Sequence, residues 1–482
     1  MTVMRKYFFI LLLCSSSMMA QNTNSDYQAF RKGVLGSYDS FRKTVLEEYA
    51  KYLQGVWDEY EQFRGIKRDK EPKPSIAPKA DIRPQDVSPV QSLPTVKPTM
   101  QPTTVPTDNP ISVKPIAPST LPNMSFSFYG MKLSTVLCHV QTIVDIEHQA
   151  IAKAWDTFRQ DRVMKDVIRS LQSLAIAYGL NDWFTFELVR NYTEATCMNP
   201  ASKTVLQHFL LVNMGYDVRL ASCGNQLLLL VPFNQQVYER SYLVIDGKKY
   251  YTFHDDSTNK VQNAGIYTCR LPNATDKGRN IDLNMRGGHL GIKTGVAHRF
   301  SLSDGKILLQ GSVDAGTMEA IRHYPQTDIP FYAMSTIDSN FHQSLLAQVN
   351  EQIRGCSEKE AVGRILHFVQ YAFDYATDGE QHGYEKPYFI EENFYYPKND
   401  CEDRAILFAF LVRNVLGLDV HLVQYPGHEC TAVNFTTSQM NGDGYMYKGK
   451  AFYICDPTFI GASIGQCMTD YRNVKPIVEL WY

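Results

Sequence analysis

Three residues in the last third of the chain have the types and spacing of a nucleophile and its proton-transfer partners. Cys401 stands in "KNDCEDRAILFAF", His428 follows 27 residues later in "YPGHECTAV", and Asp456 another 28 residues on in "FYICDPTF". A thiolate can attack a carbonyl carbon, an imidazole can take and return the proton, and a carboxylate can orient the imidazole. Because the chain has ten cysteines and twelve histidines, spacing alone is a weak argument. Catalysis requires local elements that bring the three side chains together.

The residues around Cys401 predict the start of a helix. Asp400 is a good N-cap, Asp403 reinforces the first turn, and the apolar run 405–412 marks a buried helix. Cys401 would then be the first helical residue, where unpaired N–H groups and the helix dipole favour the thiolate and can bind an oxyanion. The neighbouring carboxylates of Glu402 and Asp403 oppose the thiolate, so a histidine partner is needed.

The other two residues are predicted at strand ends. Pro426-Gly427 forms a turn that leads His428 into a strand, and Asp456 closes a strand before Pro457. Cys430 lies on the same strand face as His428, which leaves two alternatives open: a regulatory disulfide with Cys401, or a metal site of Cys401, His428 and Cys430. Zinc sites usually take paired ligands from two segments, and the segment of Cys401 offers no convincing second pair. No metal and no other cofactor is therefore predicted.

These three sequence blocks resemble those of the transglutaminase-like superfamily, which is related to the papain-like cysteine peptidases. The similarity covers roughly 341–459. It implies an α+β domain in which the cysteine begins a helix packed on a small antiparallel sheet, with Cys401 as nucleophile, His428 as general base and Asp456 as orienting acid. Many members follow the histidine with Ala-Trp, whereas this chain has Glu429-Cys430. The substrate surface beside His428 should therefore differ.

The resemblance implies a cysteine-dependent peptidase, amidase or acyltransferase that acts on protein or peptide substrates through a thioester. It does not identify the side chain that would help the Cys401 N–H to bind an oxyanion. Gln370, Tyr395 and Tyr396 have suitable chemistry, although aromatic packing is the simpler role for the two tyrosines. The competing hypothesis is a non-catalytic surface-binding or assembly protein that uses this domain as a scaffold.

The N-terminal residues predict export. Residues 1–20 combine a basic start, a short apolar core and a small residue, Ala20, at the expected cleavage position. The protein is therefore expected in the periplasm, at the cell surface or in the medium. Cys14 could carry a lipid, but the bulky Leu13 before it argues against this. Of the nine later cysteines, an odd number, at least one would stay unpaired within the chain, and several are expected to be buried thiols.

Two further segments precede the folded body. In residues 21–65, aromatic residues recur every eleven positions, as at Tyr27 and Tyr38, which keeps them on one face of a long helix. Self-association through this helix, or docking on the protein itself, is expected. Residues 66–122 contain thirteen prolines and few aromatic residues, which predicts a semi-stiff, exposed linker.

The body, 123–482, is predicted to be α+β and to divide near residue 340. Each half has helices first, beginning in the first half with a helical pattern over 134–158, and strands afterwards. Residues 199–218 align without gaps on 401–420, so the first half is interpreted as a degenerate copy of the second. Asn199 takes the place of the cysteine and Asn225 that of the histidine, which makes the copy inert.

The overall composition excludes some classes of partner. With 48 basic and 50 acidic residues, the chain has no general field that would attract nucleic acid or an anionic membrane. No run of about eighteen apolar residues follows the signal segment, so no membrane span is predicted. Substrate choice must therefore come from a local site.

Overall fold

The computed structural model describes residues 73–80, 123–144, 146–253, 266–269, 278–285, 288–436 and 440–479. The predicted signal segment and the predicted helix of 21–65 lie outside these residues, as does most of the linker of 66–122. Within them the fold is mixed α+β, with helices packed against curled antiparallel sheets. No helix in these ranges is both long and apolar enough to cross a membrane.

The first half begins with a hairpin, continues through four helices and ends in a five-stranded sheet. The hairpin replaces the beginning of the helix predicted from residue 134, because Ser134 pairs with Ser125 across it. The elements are β1 (Asn123–Phe128), β2 (Met131–Val136), α1 (His148–Gln160), α2 (Val163–Ala177), α3 (Asp182–Thr196), α4 (Pro200–Asn213), β3 (Arg219–Cys223), β4 (Gln226–Val231), β5 (Tyr242–Ile245), β6 (Lys248–Phe253) and β7 (Ile266–Cys269).

A hairpin and two helices connect the first sheet to the second half: β8 (Ala297–Ser303), β9 (Leu308–Asp314), α5 (Ala315–Arg322) and α6 (Ile329–Met334). The second half then follows the same plan, with α7 (Ser339–Gln352), α8 (Glu358–Tyr371), β10 (Asp374–Tyr375), α9 (Asp378–Gln381), β11 (Lys398–Asn399), α10 (Cys401–Leu416), β12 (Val420–Tyr425), β13 (His428–Asn434), β14 (Gly444–Tyr447), β15 (Lys450–Cys455) and β16 (Ile477–Glu479). Short 3₁₀ helices cover Ile390–Phe394 and Thr469–Tyr471.

The two large sheets have the same topology. Their strand orders are β5-β6-β4-β3-β7 and β14-β15-β13-β12-β16, all antiparallel, and each sheet follows a helix, α4 or α10. This correspondence is what a duplication would leave. The ungapped alignment is one residue out, however. The residue that begins α4, as Cys401 begins α10, is Pro200 and not Asn199. The residue that begins β4, as His428 begins β13, is Gln226 and not Asn225. Neither Pro200 nor Gln226 can replace a thiol or an imidazole.

Helix α10 lies at the centre of the second half. Every residue from Cys401 to Val412 is buried, and the helix packs against β12, β13, α6, α7 and α8, as expected for a helix that is apolar on all sides. Gly417, at a φ of 68°, ends it in the left-handed conformation that glycine adopts readily. One hydrophobic core includes residues of both halves, such as Leu206 in α4 and Leu407 in α10, and the described residues between 73 and 479 belong to one compact unit.

Residues 73–80 differ from the exposed linker predicted for 66–122. The Ala80 N–H donates to the Ile460 carbonyl at 2.8 Å, and the Ile460 N–H donates to the Pro78 carbonyl at 2.8 Å. At the other end of this segment, the Lys73 side chain is only 9% exposed. Proline content does not predict that this stretch finds hydrogen-bond and charge partners on the folded body.

Candidate active site

His428 and Asp456 form a buried pair where two neighbouring strands of the sheet meet. β13 begins at His428, directly after the turn at Pro426 and Gly427, and Asp456 follows the last residue of β15, as predicted. His428 Nε2 lies 2.8 Å from Asp456 Oδ2, and the two residues are 4% and 2% exposed. The other ring nitrogen, Nδ1, is buried and has no hydrogen-bond partner among the described residues. The imidazole is thus oriented from one side and open to a proton on the other.

The loop after Asp456 is held by two sets of hydrogen bonds. Asp456 Oδ1 accepts from the backbone N–H groups of Thr458 at 2.9 Å and Phe459 at 3.1 Å. Gln370, buried in α8, donates to the carbonyls of Asp456, Phe459 and Ala462 at 2.9–3.1 Å. Because the amide of Gln370 is used in this way, it serves to position the loop of Asp456 and not to bind an oxyanion.

Cys401 is the first residue of α10, as predicted, but the residue is only 1% exposed. The thiol donates to Glu402 Oε2 at 3.2 Å. Burial raises the pKa of this thiol well above its usual range, the charges of Glu402 and Asp400 add to the increase, and the Lys73 ammonium and a hydrogen bond from the Glu429 N–H partly oppose it. The expected activation by the helix start is therefore outweighed here. The contact with Glu429 nevertheless places the sulfur beside the residue that follows His428.

The start of α10 is surrounded by carboxylates. Asp400 occupies the N-cap position, and its Oδ2 accepts from Lys73 Nζ at 3.1 Å and the Asp378 N–H at 3.3 Å. Asp403 Oδ2 accepts from the Asp400 N–H at 3.2 Å. Burial and the neighbouring negative charges hold the pKa of Asp378, Asp400 and Asp403 well above the usual range. Close carboxylates of this kind need a cation, and Lys73 supplies it.

Tyr375 is a functional candidate that the sequence analysis missed. Its hydroxyl is buried and has no hydrogen-bond partner among the described residues. Burial raises its pKa, and the charges of Cys401, Asp400 and Glu402 raise it further. Tyr375 lies on the two-residue strand β10, paired with Asn399 just before the helix. No local motif marks such a residue, because only the pairing of β10 with β11 brings it there.

The tyrosines considered in the sequence analysis have packing roles. The Tyr395 ring lies 4.9 Å from that of His298, and the Tyr396 ring lies 4.9 Å from that of His382, both edge to face. A different tyrosine, Tyr471, stacks on His428 at 5.5 Å with the rings nearly parallel. The orientation of the imidazole is thus fixed by the hydrogen bond of Nε2 with Asp456 and by the Tyr471 ring stacked on its face.

The alternatives based on Cys430 can be compared with the geometry. Cys401 and Cys430 are both free thiols, as are the other cysteines whose side chains the structure describes. The possible metal ligands His428, Cys430 and Asp456 lie within 4.8 Å of one another, whereas Cys401 groups with Asp400 and Glu402. The set considered from the sequence, Cys401, His428 and Cys430, is therefore not the one that the fold groups together.

Fold and site together define a mixed α+β protein with a thiol at a helix start and a buried His–Asp pair on the adjoining antiparallel sheet. No protein-family model matches the chain, and no curated protein or solved structure matches it significantly.

Proposed function

We propose that this protein is an exported cysteine-dependent amide hydrolase with a transglutaminase-like catalytic domain. The observation that carries the proposal is the His428–Asp456 pair, which leaves Nδ1 buried and without a partner among the described residues, beside the segment that contacts the Cys401 sulfur. The proposal requires the Cys401 thiol to reach this nitrogen, because proton transfer and nucleophilic attack depend on that contact.

In the first step, the Cys401 proton moves to His428 Nδ1. The sulfur must turn away from Glu402 Oε2, which it contacts at 3.2 Å, toward the imidazole. Asp456 accepts the Nε2–H, so the neutral ring keeps its lone pair on Nδ1 and the imidazolium that forms is stabilised. The thiolate then attacks the amide carbonyl carbon, and a C–S bond forms.

The negative charge that develops on the carbonyl oxygen needs donors placed in advance. The Cys401 N–H is one, because the first N–H groups of a helix have no partner within it. The buried Tyr375 hydroxyl is proposed as the second, since no other group in the described part of the chain accepts its proton. When the C–N bond breaks, the amine takes the proton from Nδ1.

The thioester is then resolved by a nucleophile that gives its proton to His428 Nδ1, and the C–S bond breaks as the thiol is restored. Water would make the protein a peptidase or amidase, and an amine would make it an acyltransferase. The same residues serve both reactions, and hydrolysis is proposed because an exported enzyme meets water in large excess over amines.

The alternative, a non-catalytic binding protein built on the same scaffold, is favoured by one observation. Cys401 is almost fully buried, has a pKa that burial holds well above the usual range, and donates a hydrogen bond to a carboxylate, as a purely structural thiol would. The two functions differ in whether the thiol becomes reactive through His428.

Alkylation by iodoacetamide near neutral pH, followed by mass spectrometry of each cysteine peptide, tests the proposal. Cys401 should react fastest, and a His428→Ala substitution should abolish this advantage. Cys430 is the internal control, because it is equally buried, lies two residues from His428 and has a pKa raised by burial. If Cys401 and Cys430 react equally slowly with or without His428, the catalytic function is refuted.

A further inference from the structure

Residues 73–80 bind to the candidate active site at both of their ends. At one end, Lys73 contacts the carboxylates at the start of α10, where Cys401 lies. At the other end, the backbone from Pro78 to Ala80 pairs with Ile460, four residues after Asp456. The segment therefore runs from the neighbourhood of the nucleophile to the loop of the orienting acid, as a bound peptide would.

The Lys73 end is the more specific contact. Its Nζ forms ion pairs with Glu402, with Glu385 at 2.7 Å, with Asp400 at 3.1 Å and, at the limit, with Asp378 at 4.0 Å. We name these four carboxylates the ammonium pocket. Three of them are at most 3% exposed, and Asp400 Oδ1 has no hydrogen-bond partner among the described residues. Buried carboxyl groups at this density are tolerated when a cation binds them, which also lets more of them stay ionised.

We propose that the ammonium pocket is the subsite that recognises a lysine side chain of the peptide substrate, and that residues 73–80 occupy it as a pseudosubstrate of the chain's own. The inference rests on the proposed function and deepens it by naming the substrate class: peptides that carry a lysine at the position held here by Lys73.

The form of the pocket favours a lysine over other groups. An ammonium ion has three donors around a compact charge, and the carboxylates approach Lys73 Nζ from several elements: the loop that contains Glu385, the N-cap of α10 and its first turn. Burial opposes the charge on Lys73, but Glu402, Asp400, Cys401 and Asp378 outweigh it and hold the pKa of Lys73 well above its usual range. A protonated amine has no lone pair, so a lysine held in this way is bound for recognition and does not attack the thioester.

The pocket can hold one ammonium group at a time. Cys401 is only 1% exposed, and Lys73 occupies the pocket beside it, so a substrate lysine must displace Lys73 to enter the pocket. Removing the Lys73 ammonium should therefore open the pocket to an added peptide without any change in the residues that line it.

Peptide binding to a protein that cannot turn over tests the proposal. Full-length protein carrying Cys401→Ala and Lys73→Met is titrated into a fluorescent, N-acetylated peptide of sequence KPSIAPKA, or the same peptide with norleucine at its first position, and anisotropy is measured. The lysine peptide should bind at least ~10-fold more tightly, which corresponds to about 1.4 kcal/mol. It should also bind at least ~10-fold more tightly to this protein than to Cys401→Ala alone, where Lys73 competes.

Lys79→Met is the matched control, because Lys79 belongs to the same segment but has an exposed side chain and makes only backbone contacts with Ile460. With Cys401→Ala it should bind peptide no better than Cys401→Ala alone. If the Lys73→Met protein does not fold, the ratio of lysine to norleucine affinity is measured at higher concentration on Cys401→Ala and must still favour lysine.

Equal affinity for the two peptides would overturn the proposal. So would loss of the lysine preference in millimolar calcium chloride, which would make the carboxylates a metal site. If the inactive variant prefers the lysine peptide but Cys401 of the wild type is unreactive, the amide hydrolase is refuted and the ammonium pocket remains a lysine-binding site. If Cys401 is reactive but no lysine preference is found, the hydrolase stands and the lysine subsite is refuted.

Discussion

Asp456→Asn should disable His428 without emptying the site. The two oxygens of Asp456 have separate tasks: Oδ2 accepts from His428 Nε2, and Oδ1 accepts from the N–H groups of Thr458 and Phe459. Asparagine has the same shape but only one acceptor. Because two backbone donors hold its oxygen, its NH₂ group must face His428, donate to Nε2 and move the ring proton to Nδ1. The lone pair that would take the thiol proton is then lost.

The size of the effect follows from these hydrogen bonds. The opposite amide orientation would turn the NH₂ group toward two buried N–H groups, at a cost of about 1–2 kcal/mol for each lost bond. A preference of about 2–4 kcal/mol reduces the population of the useful tautomer by roughly 30- to 1000-fold. The rate of Cys401 alkylation near neutral pH, and of any amide hydrolysis, should therefore fall by about two orders of magnitude.

The assay is the second-order rate constant of iodoacetamide with Cys401 between pH 5 and 10. Asp443→Asn is the control, since Asp443 also accepts a backbone N–H, from Cys467 at 3.0 Å, but does not contact His428. Its rates should equal those of the wild type. If Asp456→Asn folds normally and Cys401 reacts at the wild-type rate, the assignment of Nδ1 as the proton acceptor is wrong.

Three further predictions concern stability, the oxyanion and pH. Gln370→Met should lower the free energy of unfolding in urea by about 3 kcal/mol, because three carbonyls lose their donor; an unchanged midpoint would contradict its role in holding the loop. Tyr375→Phe should slow hydrolysis by roughly 10- to 1000-fold. It should leave the free energy of unfolding equal or slightly higher, since the hydroxyl is buried without a partner among the described residues. A clear loss of stability would show that the hydroxyl is hydrogen-bonded instead. Burial lowers the pKa of His208 to about 4, below its unfolded value of about 6.5. The stability that comes from keeping this imidazole neutral is therefore fully present above pH 6.5. As the pH falls toward 4, the free energy of unfolding should decrease by about 3 kcal/mol. His208→Gln keeps an acceptor for the Trp155 indole N–H, 3.0 Å away, and should show a correspondingly smaller loss of stability between pH 7 and 4.5; an unchanged loss would mean that His208 is not the titrating group.

Much of the framework around the site was predictable from local signals. The N-cap at Asp400, the apolar run after it, the Pro426-Gly427 turn and the strand before Asp456 each act over a few residues, and each lies in the structure where it was predicted. The prediction of a helix from residue 134 was wrong because a contact with another strand, and not a local signal, decides the structure there. Apolar spacing there fits a helix, but pairing with β1 decides for a strand.

The sequence by itself determined the positions of Cys401, His428 and Asp456 on their elements, because capping, turn and strand preferences depend on neighbouring residues. Only the tertiary structure decided what surrounds them. Lys73 is 327 residues away from Asp400, and the place of Tyr375 depends on the pairing of two very short strands. The pKa of a buried thiol depends on every group packed around it, so the direction of its shift follows only from the folded chain, which brings Lys73, Glu402 and Asp400 together around Cys401.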